Sequence, residues 1–242
     1  MKTRSWVAAL AGAAIVSLAL SGTARAAILA DIVWVVDTSG SMSGDINQVK
    51  QRIEEFDTAM TTNGIDARYG LVRFGGAASL IQNITDYSTF VAAGSPFQLL
   101  TANGGGTEDG SAAIEVALGA SFRANTVRNI ILVTDEDDDS PGNRNSLTLA
   151  LNSTSANELI NIIGNPNDDS NDYYQGLAAA NGGQFFDILS FRADPATFFT
   201  NFVNTKVREI IDESSVPEPA SLALIATGLF AAGFGTRRRA KA

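Results

Sequence analysis

The apolar, mostly β-branched run Ile32-Val33-Trp34-Val35-Val36 ends abruptly in Asp37-Thr38-Ser39-Gly40-Ser41. A run of this kind reads as a strand buried on both faces, and its carboxyl end is where open α/β sheets bind ligands. One carboxylate with hydroxyls beside it offers oxygen donors only, which suits a hard cation such as Mg2+. Ser39 and Ser41 alternate along an extended or turning chain, so both can face one ion with Asp37 beside them. The competing use of the same small residues is to cap the helix that follows.

The segment Asp31 to Met42 closely resembles the first strand and metal-ion-dependent adhesion site of von Willebrand factor A (VWA) domains, with their D-x-S-x-S signature. Those domains add a Thr from a loop before a later helix and an Asp after the next central strand. Gly104-Gly105-Gly106-Thr107-Glu108-Asp109-Gly110 resembles the first of these, and Asn129-Ile130-Ile131-Leu132-Val133-Thr134-Asp135 the second. The resemblance implies a divalent ion, Mg2+ or else Mn2+ or Ca2+, held by Asp37, Ser39, Ser41, Thr107 and Asp135. It also implies a coordination position left open for an acidic side chain of a partner protein, hence adhesion or matrix assembly and no catalysis. Glu136 stands where relatives usually have Gly, which adds bulk and charge at the metal face. Two further functions compete: a metal-dependent hydrolase, and a matrix protein whose metal is structural. With no His in the chain, only Glu108, Asp109, Asp135 or Glu136 could act as the base of a hydrolase.

Other motifs fail on spacing. In an aspartic-protease loop Gly stands two residues after the Asp; here Gly40 stands three after Asp37, and no second such loop supplies the paired carboxylate. The Gly104–Thr107 loop lacks the Lys of a phosphate-binding loop. Asp135, Asp137 and Asp139 match the first, third and fifth positions of an EF-hand, but Ser140 and Ser146 replace its turn Gly and bidentate Glu. An accessory Ca2+ site at Asp135–Asp139 or Asp168–Asp172 competes with a solvated acidic loop. Asn83-Ile84-Thr85 and Asn152-Ser153-Thr154 fit the glycosylation pattern incidentally.

Composition bounds the setting. Lys2 and Arg4, an apolar stretch from Trp6 to Leu20 and Ala24-Arg25-Ala26 form a secretory signal over residues 1–26, with cleavage before Ala27. At the other end, Pro217-Glu218-Pro219, an apolar stretch from Ala220 to Gly235 and Arg237-Arg238-Arg239 resemble the PEP-CTERM sorting tail that exosortases process in Gram-negative bacteria. As a helix that stretch spans about 24 Å against a hydrocarbon core of about 30 Å, a short transmembrane segment held by the arginines on the cytoplasmic side. These features divide the chain into a signal (1–26), a VWA domain (27–211), a linker (212–216) and the sorting signal (217–242). Membrane contact is expected only through the last segment. The chain has no Cys, so a domain of this size must rest on its core. The net charge of −9 becomes about −15 once both basic ends are removed, a field that disfavours nucleic acid and draws cations.

Strands are expected at Ile32–Val36, Ala67–Phe74, Ser79–Ile84, Ile130–Val133, Leu159–Ile163 and Gln184–Ile188. Helices are expected at Asn47–Thr62, Ala112–Ala120, with Glu108 and Asp109 in its first turn, at Tyr173–Ala180 and from Pro195 through Ile211. Alternation of this kind gives an α/β fold: a doubly wound, mostly parallel sheet with one antiparallel edge strand, Ser79–Ile84, and helices on both faces.

Overall fold

The computed structural model describes residues 27–154, 158–169 and 171–215. The signal and sorting segments lie outside the described residues, as does Ser170 in the second acidic stretch. Among the described residues no helix is long and apolar enough to cross a membrane.

Six strands form one sheet in the order β3-β2-β1-β4-β5-β6: β1 Ile28–Asp37, β2 Ile65–Phe74, β3 Ser79–Thr85, β4 Val127–Val133, β5 Glu158–Gly164 and β6 Phe185–Asp187. All neighbours are parallel except β2 and β3, so β3 is the antiparallel edge. The apolar runs are nearly continuous because helices cover both faces. On β1, Ile32, Trp34 and Val36 face one core, while Val33 and Val35 face the other. The first core is closed by α1 (Ser43–Thr62) and α8 (Pro195–Ser214), where Phe56 and Phe202 pack on Trp34 at centroid distances of 5.5 and 6.2 Å. The second is closed by α4 (Gly110–Leu118), α5 (Pro141–Ser153) and α6 (Asn171–Ala180) through Ile114, Leu147 and Leu177.

Several elements differ from the sequence expectation. Helix α5 is not among the expected helices: Pro141-Gly142 signals a turn, and only Leu147 of the helix is buried. The four-residue helices α2 (Tyr87–Phe90) and α3 (Pro96–Leu99) are too short to show a period. The last strand ends at Asp187, whose side chain accepts from Leu189 N and caps α7 (Ile188–Ala193). Helix α4 starts at Gly110, so Asp109 is its cap and Glu108 precedes it. Helix α8 continues through Ser214, past the expected helix end at Ile211.

The end of the sheet opposite the carboxyl termini of β1 and β4 is fastened by an ion pair. Asp31 is fully buried. It accepts from Arg123 Nε at 2.7 Å and from Arg123 N at 2.6 Å, while the guanidinium also reaches the Asp66 carboxylate at 2.9 Å and the Ala30 carbonyl at 3.0 Å.

Candidate metal centre

Strands β1 and β4 are neighbours, yet the helices that follow them, α1 and α5, lie on opposite faces. The chain departures diverge there and leave a crevice at the switch point of the sheet, where open α/β folds bind ligands. Asp37 is the last residue of β1, and Asp135 follows the end of β4 by two positions. Four of the five expected ligands meet in one hydrogen-bonded chain. The Ser39 and Ser41 hydroxyls are 3.1 Å apart, Ser41 Oγ donates to Asp135 Oδ1 at 2.9 Å, and Asp37 Oδ1 accepts from Ser39 N at 2.7 Å. The serines stand together because the chain turns sharply into a 3-10 segment, Gly40–Met42, before α1. Ser39 makes no side-chain cap to that segment, so its hydroxyl is engaged within the site and not in helix capping.

Thr107 is brought to the same rim by backbone alone. Gly104 N donates to Thr38 O at 2.7 Å, Gly105 N to Gly75 O at 2.6 Å, and Gly76 N to Thr107 O at 2.7 Å. A Cβ on Gly104 would lie 2.7 Å from the Gly75 carbonyl oxygen, and Gly75 holds a φ of +105°, so this approach requires both glycines. The Thr107 residue itself is exposed. Of the five expected ligands, it is the one outside the hydrogen-bonded chain.

Comparison with known proteins assigns the fold. The model of the von Willebrand factor type A domain matches residues 31–201. The chain belongs to the von Willebrand factor type A family. A PEP-CTERM protein-sorting motif matches residues 215–239, so this VWA domain is carried by an exported, cell-envelope protein, and the motif implies an exosortase-type processing partner. Membership in the VWA family supports a binding role and not a catalytic one. No curated protein matches the chain. Among solved structures it is similar to a von Willebrand factor type A protein from Catenulispora acidiphila (21% identity, TM-score 0.55, 76% of this chain and 43% of that one). It is also similar to the PilB minor pilin of Streptococcus sanguinis (13%, 0.60, 80% and 64%) and to the pilus adhesin SpaC of Lactobacillus rhamnosus GG (15%, 0.51, 76% and 30%). At these identities the likeness is one of fold, and the chain spans less than two thirds of each of these three.

Within this VWA domain, three residues join the site that the motif did not announce. Thr134 Oγ1 donates to Asp37 Oδ2 at 3.0 Å, satisfying the second oxygen of a carboxylate that is wholly buried. Arg192, in the last turn of α7, donates to Asp135 Oδ2 at 2.8 Å and to Asp45 of α1 at 2.6 Å. Glu108, beside Thr107, is buried and lies near enough to Asp37, Glu136 and Asp135 for their charges to act on it. Thr134 was legible as the residue before Asp135, and Glu108 as the neighbour of Thr107. Arg192 stands 57 positions from Asp135 with no local signal.

The charges crowd. Burial raises the Asp37 carboxyl above its ordinary range, and Asp135 raises it further. Glu108 is pushed up to about 7, first by burial and then by Asp37, Glu136 and Asp135. Glu136, in place of the family's Gly, adds a carboxyl to this face that burial and Asp135 hold towards neutrality. A donor set of carboxylates and hydroxyls, with Asp37 held towards neutrality first by burial and then by the Asp135 charge, fits a hard divalent ion, which would favour the ionised carboxylate.

The acidic loop after Asp135 divides in two. Asp138 accepts from Ser111 Oγ and Arg144 Nε, both at 2.7 Å, and Asp139 accepts from Glu108 N at 2.7 Å, so these two brace the loop against α4. Glu136, Asp137 and Asp168 instead place carboxylate oxygens within 4.8 Å of one another. This second group draws on both stretches named in the sequence.

Proposed function

We propose that this protein is an exported cell-envelope adhesion module whose VWA domain binds a divalent cation, Mg2+ or else Mn2+ or Ca2+, through Asp37, Ser39, Ser41, Thr107 and Asp135. The observation that carries this proposal is the chain of oxygens running from Asp37 through Ser39 and Ser41 to Asp135 at the switch point of the sheet. These residues would hold the ion, which when bound would supply Lewis acidity to a further oxygen ligand. In this proposal an acidic side chain of a partner protein supplies that oxygen, in cell adhesion or in assembly of an extracellular matrix. Glu108, buried beside Thr107, is the group of this chain that such a carboxylate would pack beside.

The test is capture of envelope proteins on the whole exported chain, with Mg2+ and with chelator. Capture is expected only with the ion, and Thr107→Ala is expected to weaken it at least tenfold while the melting temperature stays within about 2 °C, because an exposed side chain on a surface loop contributes little to stability. Capture that survives both chelation and Thr107→Ala would overturn the proposal. Unfolding on chelation would favour a structural metal. Divalent-dependent hydrolysis of an ester, phosphate or peptide, lost on changing Glu108 or Glu136, would favour an enzyme.

The tail is proposed as a sorting signal that is removed. Arg237–Arg239 would stop transfer with the C-terminus inside the cell and leave Pro217-Glu218-Pro219 outside for an exosortase of a Gram-negative envelope. The mature chain is expected to end near residues 216–219 by mass spectrometry of envelope-derived protein. Recovery of peptides that carry Arg239 would make the segment a permanent anchor.

A further inference from the structure

Lys206 is placed where a lysine is expensive. It sits on the apolar face of α8 among Phe202, Val203 and Val207 and is fully buried. Its Nζ lies 4.6 Å from the centroid of the Phe186 ring and 5.4 Å from that of Phe202. An ammonium removed from water to this extent requires compensation. Burial lowers its pKa to about 8, so part of the population is free amine near neutral pH.

An amide, a backbone N–H and a carboxylate surround it. Nζ rests against Oδ1 of Asn161, a fully buried amide in the middle of β5. That oxygen also accepts from Gln184 N at 2.8 Å, a backbone donor able to stabilise negative charge on it. Glu209, one turn along α8, touches both reacting nitrogens: its Oε2 is 2.6 Å from Lys206 Nζ and 3.2 Å from Asn161 Nδ2. The other oxygen, Glu209 Oε1, is buried with no hydrogen-bond partner among the described residues, as is Asn129 Nδ2 beside Asn161. A resting ion pair with those groups left unsatisfied is poor compensation for the buried charge.

We propose that Lys206 and Asn161 form an intramolecular isopeptide bond, with Glu209 as the proton carrier. Glu209 takes a proton from the Lys206 ammonium, and the freed Nζ lone pair attacks Cγ of Asn161. The carbonyl electron pair moves to Oδ1, beside the Gln184 N–H. Glu209 returns its proton to Nδ2 and removes one from Nζ. The oxyanion collapses, the Cγ–Nδ2 bond breaks, and ammonia leaves with that electron pair. It then takes the proton left on Glu209 and departs as ammonium. No oxidant, metal or cofactor enters the balance. The reaction draws its rate from proximity and from exclusion of water by Phe186 and Phe202. The product ties β5 to α8 across 45 positions and replaces a buried ammonium with a neutral amide. In an exported chain without Cys, it would supply the covalent link that disulfides supply elsewhere.

Tryptic mapping of the denatured full chain tests this directly. Lys206 is expected to resist cleavage, and residues 145–192 are expected to emerge joined to 193–208 as one branched peptide, about 17 Da (one ammonia) lighter than the sum of its parts. Glu209→Gln is expected to fold, shown by an unchanged circular dichroism spectrum, and to lose at least nine-tenths of the branched species. Recovery of 145–192 and 193–206 as separate peptides from the folded wild-type chain would overturn the proposal. Full cross-linking in Glu209→Gln would overturn the role of Glu209.

Discussion

Asp37→Asn is expected to reduce Mg2+ or Mn2+ affinity by 100-fold or more, about 2.7 kcal/mol, in titration calorimetry while leaving the fold intact. The amide preserves both buried hydrogen bonds, its oxygen accepting from Ser39 N and its nitrogen donating to Thr134 Oγ1, so charge is lost and shape is kept. Ser39→Ala is expected to have a similar effect by removing the hydroxyl between Asp37 and Ser41. Unchanged binding in both variants would sink the ligand assignment. The pH dependence has a definite sign. The folded pKa values of Asp37 and Glu108 are raised, so the metal-free folded state binds more protons than the unfolded chain between the ordinary carboxylate range and about 7. Stability of the metal-free domain should therefore fall as pH rises through that window. Divalent ions compete with those protons, so their affinity should rise over the same window, and saturating Mg2+ should remove the loss of stability.

Arg123→Ala is expected to cost about 3–5 kcal/mol in urea unfolding, the largest single-residue effect away from the apolar core, because it strands a buried carboxylate. Asp31 is wholly enclosed and takes two donors from Arg123, one of them main-chain. The backbone N–H survives the substitution, but the guanidinium that balanced the charge and tied β1 to β2 through Asp66 does not. Arg123→Lys should recover only part of the loss, since an ammonium cannot reproduce the planar fork. A change below about 1 kcal/mol for Arg123→Ala would show that this end of the sheet tolerates an open charge.

The sheet was legible because its strands are buried on both faces and carry unbroken apolar runs, so β1, β4 and β5 declared themselves, and β3 followed from the Gly75-Gly76 turn. Helix α5 escaped because it presents one buried side chain to the core, which gives no period to count. At the site, Asp37, Ser39, Ser41 and Asp135 could be found because a strand end and its first turn fix them locally. Arg192 could not, since its partner Asp45 lies 147 positions away and only the closure of α7 against α1 brings them together. Lys206 stood in plain view, one charged residue on the apolar stripe of Phe199, Phe202, Val203, Val207 and Ile210. A lysine at such a position reads as a snorkelling surface residue until the neighbouring strand is seen to carry Asn161.

The loop bearing Thr107 is gripped through its own peptide groups, which bond the backbone of Thr38, Gly75 and Gly76 and, at Glu108 N, the Asp139 carboxylate. What fastens it and what it displays are therefore written in different residues. Evolution, or an engineer building a library, can redraw the side chains at 106 and 107 and so, on the proposed adhesion function, change which carboxylate is accepted without touching the latch. The latch in turn cannot drift, because a methyl group at Gly104 would collide with the Gly75 carbonyl. The side chains of the rim can diversify while the sheet beneath it stays the same.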